Sequence, residues 1–167
     1  MEMLKVPDSL HWEHHDLHHG LAEAAADSGA TGEAARRASD LIHSHIEKEG
    51  EFLTPLLGLL PSLANGELNF EMNAAVALGE CLRVDLWGMM DEHKAIHAEL
   101  DQLQTLAEKE GKSQPAAVAR NLKQHLKVEE EVLYPAAIVV GEFIRMKLAA
   151  ERLHFAPDAA AMQAAAA

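Results

Sequence analysis

Four short motifs carry most of the chemistry in this 167-residue chain: His14-x3-His18, His45-x3-Glu49, His93-x3-His97 and His125-x3-Glu129. Residues four apart share one face of a helix, so each pair can converge on a single ion. Imidazole nitrogen suits Fe, Zn, Cu or Ni, and carboxylates suit harder cations and can bridge two of them. A lone histidine on an apolar face is more often a core residue satisfied by a hydrogen bond, and a lone His-x3-Glu is more often a surface pair. Two copies of each motif shift that balance. Burying six imidazoles and two carboxylates unpaired would cost several kcal/mol per charge. A metal removes the conflict, and two glutamates facing each other across a bundle axis favour two ions over one.

The elements that must position these residues are helices. Ala and Leu dominate the apolar set and aromatics make up only 4% of the chain, which favours helix over strand. A first helix is expected over residues 9–27, between Pro7-Asp8-Ser9 and Asp27-Ser28-Gly29. A second begins near Thr31 and reaches the neighbourhood of Pro55, weakened but not broken by Gly50. Residues 55–66 suggest a short helical turn and a loop. A third helix spans 69–109, stopping at Gly111. A fourth opens at Gln114-Pro115 and runs to about Leu133, where Pro135 starts a fifth that reaches about His154. The alanine-rich tail, 157–167, is expected to be flexible. Core stripes follow the helical period through Leu86, Met90, His93, His97, Leu100 and either Leu103 or Gln104, and through Val118, Leu122, His125, Glu129 and Val132. The expected fold is all-α. It is an up-down-up-down four-helix bundle in one domain, 1–156, with a short connecting helix after the second helix and an extra helix at the C-terminus.

The chain also resembles itself. Residues 13–21 read EHHDLHHGL and 92–100 read EHKAIHAEL; 45–57 read HIEKEGEFLTPLL and 125–137 read HLKVEEEVLYPAA. Two helical hairpins therefore look like copies of one unit, and a symmetric site would lie on the axis between them. Glu13 and Glu92, each just before a candidate ligand, suit either an acceptor behind the ligands or a solvated face. His11, His15, His19, His43 and His154 have no repeat counterpart and are expected to face solvent. Glu51 and Glu131 match in the repeat but sit off the ligand face. Tyr134, the only tyrosine, follows Glu129 by five residues, an offset that can turn it away from the site.

Composition limits the partners. With 27 acidic and 14 basic residues the net charge is −13, a field that repels phosphate backbones and argues against nucleic acid. The longest apolar run, 134–140, is too short to span a bilayer. No basic stretch followed by an apolar segment opens the chain, and Cys81 stands alone, so a cytoplasmic protein without disulfides is expected.

His-x3-Glu-x5-Pro occurs twice, as His45-Glu49-Pro55 and His125-Glu129-Pro135, beside His93-x3-His97 with Ile96 between. On these motifs residues 9–137 resemble the hemerythrin-like (HHE cation-binding) domain family. The resemblance implies a four-helix bundle around two non-haem iron ions bridged by carboxylates and an oxo or hydroxo group, with Mn or Zn as other candidates. Oxygen-carrying members take their second bridging carboxylate five residues after the last-helix histidine, which here is Glu130. The His-x3-Glu version of the family uses Glu129, and the internal repeat favours Glu129. Classical carriers draw one histidine from the first helix, whereas this chain offers His14 and His18. The expected metal ligands are thus His14, His18, His45, Glu49, His93, His97, His125 and Glu129. If all six histidines ligate, both ions are six-coordinate and closed to dioxygen; if His18 does not, one has an open position.

The leading functional expectation is a non-haem di-iron protein acting in oxygen, peroxide or nitric-oxide response, or in iron handling, with O2, peroxide or NO as its small ligand. The alternatives are a di-iron oxidoreductase that consumes hydrogen peroxide, a reversible dioxygen carrier if one iron is open, and a bundle that uses zinc only for stability. No protein partner is specified by the sequence.

Overall fold

The computed structural model describes residues 7–68 and 72–154. The tail at 157–167 and the expected helix start at Asn69 lie outside the described residues. Helix α1 (Asp8–Ala26) follows Pro7, whose carbonyl accepts the His11 N–H at 3.0 Å; Asp8 in the first turn complements the helix dipole. A tight corner leads into α2 (Ala30–Leu57). Only glycine fits at position 32 there, because a Cβ would lie 1.8 Å from the Asp27 carbonyl oxygen. The short connecting helix is α3 (Leu60–Ala64), and α4 (Asn73–Lys109) is the longest element. Next come α5 (Ser113–Val128), a five-residue π-helical turn at Glu129–Leu133, and α6 (Tyr134–His154). The described residues contain no strand, and none of their helices is long and apolar enough to cross a membrane.

Helix α6 begins at Tyr134, one residue before the Pro135 start that the sequence predicts, and it follows the π turn without a break. Proline lacks an N–H, and its ring collides with the carbonyl four residues back in a regular helix. The π turn ahead of it widens the coil: the Tyr134 N–H bonds to the Glu129 carbonyl, five residues back. The chain therefore continues as helix through the proline. The same turn carries Val132 off the expected core stripe, leaving it 54% exposed.

Two apolar clusters fill the interior. One gathers Leu10, Leu53, Leu56, Leu82, Met89, Ala137 and Ile144, and the other Leu21, Ala38, Ile42, Ile96, Leu100, Leu122 and Leu126. Each fully buried Leu, Ile or Met contributes roughly 1.5–3 kcal/mol. Between the clusters lie the buried polar residues His45, Glu49, His93, His125 and Glu129. Every long helix passes from one cluster to the other through that layer. In α1 the order is Leu10, His14, Leu21; in α2 it is Ile42, His45, Glu49, Leu53; in α4, Met89, His93, Ile96; and through α5 and α6, Leu122, His125, Glu129, Tyr134. Helix α1 packs on α2 and α5, α4 packs on the same two, and α6 extends the packing along α4 and α2.

The buried stripe of α4 runs through Met89, His93, Ile96, Leu100, Leu103 and Ala107. The expected stripe differs from it by one residue at two points, Met90 for Met89 and His97 for Ile96; these two and Leu86 are half-buried. Ile96 takes the inward position one turn after His93. In α1 Leu17 stands at the matching place and packs on the second cluster.

Helices α4 and α6 cross most closely at Gly79 and Gly141, where a Cβ on either residue would lie 3.0 Å from the Cα of the other. Gly79→Val should destabilise the fold by about 1–3 kcal/mol through overpacking. Gly50 lies on the exposed side of α2, where an added Cβ would meet nothing within 4 Å, so Gly50→Ala should stabilise by about 0.5–1 kcal/mol through helix propensity alone. Urea unfolding of the two variants against wild type measures both.

Candidate metal centre

Each helix sends a polar side chain into the layer: α1 supplies His14, α2 His45 and Glu49, α4 His93, α5 His125, and the first residue of the π turn Glu129. Their ligand atoms form two groups within which all lie less than 4.8 Å apart: His45, Glu49, His93 and Glu129, and His14, His125 and Glu129. Glu129 belongs to both. Its Oε1 lies 2.7 Å from His125 Nε2 and 3.7 Å from His14 Nε2, while Oε2 lies 3.4 Å from His93 Nε2. A carboxylate that turns one oxygen to each of two donor groups has the geometry of a bridge.

Carboxylates behind the rings settle which nitrogen faces inward. His45 Nδ1 lies 3.0 Å from Glu92, which also pairs with Lys48; His93 Nδ1 lies 2.9 Å from Glu130. His125 Nδ1 lies 3.3 Å from Glu13. At His45 and His93, where Nδ1–H is donated outward, the inner nitrogens carry lone pairs, the tautomer that metal ligation needs; His125 Nδ1 lies near Glu13 without a hydrogen bond. These tautomers are assigned from their partners. Glu92 is thus an acceptor behind His45, Glu13 is a charge partner beside His125, and the two exchange halves: Glu92 of the second repeat stands beside His45 of the first, and Glu13 of the first beside His125 of the second. Glu130, the other candidate bridge, stands outside the layer as the partner of His93.

Two inward lone pairs, His45 Nε2 and His93 Nε2, approach to 2.9 Å. Such a contact repels unless a proton or cation lies between. Burial lowers the pKa of His93, and the charge of His45 adds to that, outweighing the pull of Glu130. Burial works against His45 too, but Glu49, Glu92 and Glu129 together raise it. At His125, Glu129 and Glu13 overcome burial and raise the pKa. Glu129 is held far below the ordinary carboxylate range despite its burial, by His125, His14 and His93.

The site fits a metal ion. His14 Nε2, Glu49 Oε2, both ring nitrogens of His125 and Glu129 Oε2 are buried without a hydrogen-bond partner. His125 Nε2 and Glu129 Oε1 lie only 2.7 Å apart, yet not in line for a hydrogen bond. Donors that crowd together without bonding one another are aimed at a common centre. Leaving one such group unsatisfied costs about 1–3 kcal/mol, more when it is charged.

Two expected ligands stand apart from these groups. His18 lines a small cavity together with His14, Leu17, Ile42, His125 and Glu129, among others. Its volume is about 20 Å³, measured as space for the centres of water-sized molecules, enough for one small molecule. His97 is in neither group, because Ile96 holds the inward position. Tyr134 points the other way from the sequence reading. It is fully buried, and its hydroxyl donates to Glu49 Oε1 at 2.9 Å and lies 2.9 Å from His93 Nε2 and 3.2 Å from His45 Nε2. In a regular α-helix an offset of five residues rotates a side chain by roughly 140°. The wider π turn rotates less per residue, which brings Tyr134 closer to the side of Glu129. The sequence signal that a turn could be irregular there was Pro135, although Pro55 is accommodated within α2 without a π turn.

Comparisons with models of protein families, with curated proteins and with solved structures find no match for this chain.

Metal should stabilise the fold by RT ln(1 + [L]/Kd), about 4 kcal/mol with free metal a thousandfold above Kd. Chelation should accordingly lower the melting temperature by several degrees. The gain should shrink from pH 8 to pH 6, because protons compete for the imidazoles. The raised values of His45 and His125 start that competition above the ordinary histidine range. Melting curves with and without added Co2+ or Fe2+ at the two pH values test both; an equal gain at both would contradict imidazole ligation.

Proposed function

We propose that this chain is a non-haem di-iron protein of the hemerythrin-like kind, an up-down-up-down bundle that binds a small ligand such as O2, peroxide or NO. The observation that carries the reading is Glu129, shared between two groups of ligand atoms with one oxygen turned to each. One ion would be held by His45, Glu49, His93 and Glu129, the other by His14, His125 and Glu129. When bound, such a pair supplies two adjacent redox-active Lewis acids. The order in which the four long helices cross the polar layer supports the alternating bundle. His18 and His97 are the two expected ligands outside the converging atoms, and because Glu49 belongs to the His45–His93 group alone, the His14–His125 side has one protein donor fewer. The cavity lies on that side, bounded by Leu17, Ile42, Leu122 and Leu126. His14, His18, His45, His125 and Glu129 line it as well, so a water-sized ligand there would meet both apolar and donor groups.

A second reading, consumption of hydrogen peroxide, is favoured by Tyr134. Burial, with the negative charges of Glu49 and Glu129, pushes its hydroxyl above the ordinary phenol range, so it keeps its proton and donates it in a hydrogen bond to Glu49. Disproportionation oxidises one peroxide to dioxygen while another is reduced to water. It therefore needs a group inside the site that can hold and return protons, and Tyr134 is positioned for that task.

Anaerobic reconstitution should load two irons per chain, and Glu129→Ala should hold at most one. The oxidised protein should bind azide, read from a new visible charge-transfer band, with His18→Ala altering the affinity only a few-fold. Azide binding that appears only in His18→Ala would instead make His18 a ligand. Tyr134→Phe should keep the iron content and lower peroxide turnover at least tenfold, within the 10²–10⁴ or so attributed to general acid–base groups. Unchanged turnover would remove the peroxide reading and leave ligand binding.

A further inference from the structure

The two groups of ligand atoms are built unequally. One joins His45, Glu49, His93 and Glu129, the other His14, His125 and Glu129. Glu129 is shared, so Glu49 gives the first group a carboxylate of its own. The first group is also sealed: the side chains of Glu49 and His93 are 0% exposed, whereas that of His14 is 13% exposed. Both of its rings are braced from behind. His45 Nδ1 donates to Glu92 at 3.0 Å and His93 Nδ1 to Glu130 at 2.9 Å, and Lys48 in turn pairs with Glu92. In the second group His125 Nδ1 lies 3.3 Å from Glu13 without a hydrogen bond. The cavity repeats the inequality. Both imidazoles of the second group line it, and half-buried Leu17, His18 and Ile46 stand among its walls. From the first group only His45 and the shared Glu129 reach it; His93 and Glu49 do not.

We infer that the two positions differ in tenure. The His45–Glu49–His93–Glu129 position holds a resident divalent transition metal, and the His14–His125 position takes up and releases a second such ion through the cavity. This ordering rests on the proposed two-ion centre. Two carboxylates face the first ion, while the second has only a share of Glu129, so Coulomb attraction favours the first. Carboxylates behind ligating imidazoles fix the rings and raise their basicity, an effect worth roughly 10–100-fold in metal affinity. The first group has two such hydrogen bonds. Emptying it also restores the repulsive 2.9 Å contact between the inner nitrogens of His45 and His93. Emptying the second position leaves His14 and His125 beside a cavity large enough for one water. The chain thereby trades one ion while the other keeps the layer in place.

Release kinetics of the wild type test this. Anaerobic protein loaded with two Fe2+ is mixed with excess ferrozine, whose coloured Fe2+ complex reports each ion as it leaves. Release should show two phases of equal amplitude, separated by about tenfold or more in rate, the low end of what braced histidines are worth. His14→Ala should hold one iron and lose it at the slow rate. Glu92→Gln should speed the slow phase about tenfold and leave the fast phase unchanged. Glu92 is partly exposed, so this variant carries the assignment if His14→Ala fails to fold. Two irons leaving at one rate would overturn the ordering and leave a two-iron centre in place. So would a fast-leaving iron in His14→Ala, or a Glu92→Gln effect confined to the fast phase. Wild type that never holds more than one iron would instead remove the two-ion centre itself, and the ordering with it.

Discussion

The structure is organised around a requirement that four helices deliver buried nitrogen and oxygen donors to the same depth. Imidazole lone pairs at His45 and His93 meet at 2.9 Å, and Glu129 is shared between the two donor groups. Such a contact needs a shared proton or a cation between the rings, and the rest of the fold is arranged to hold it in place. Two apolar clusters close over the layer from above and below. The glycine crossing of Gly79 and Gly141 lets α4 and α6 pack tightly enough to fix the depth of His93 and Tyr134. The outer carboxylates Glu92 and Glu130 fix the rings of His45 and His93 against rotation.

The π turn resolves three constraints together. It makes room for Pro135, turns Glu129 fully inward, and returns Tyr134 to the same side. π turns of this kind concentrate at functional positions because they trade regular hydrogen bonding for a side-chain direction that a regular helix cannot reach. Here the direction gained is that of a phenol hydroxyl beside Glu49 and both inner imidazoles. The geometric cost falls on Val132, turned out to solvent.

Much of this is legible in the residues. The internal repeat and the His-x3-Glu motifs lead to His45, Glu49, His125 and Glu129, and the helix boundaries follow from Pro, Gly and capping signals. Periodicity does not decide which of two adjacent stripes of α4 faces inward. Met89 and Met90 are equally apolar, and Ile96 competes with His97 for the same turn. That choice is made by packing against α2 and α6, which no local pattern contains. Tyr134 escapes periodicity for a related reason: the rotation of about 100° per residue that places side chains on a regular helix does not hold through a π turn. The carboxylate partners of the rings are ambiguous in sequence because Glu13 and Glu92 each stand beside a histidine of the opposite repeat.

That exchange between repeats has a kinetic consequence. His14 and Glu129 come from opposite ends of the described chain, and each hairpin lacks the carboxylate that stands beside its own last histidine. Neither hairpin can assemble half of the centre before the two dock, so the loop-closure entropy of the whole bundle must be met first. Interactions that form only after the rate-limiting step slow unfolding rather than speed folding. A metal held here would act as a late lock: it would lengthen the lifetime of the folded chain and leave the time needed to reach it almost unchanged.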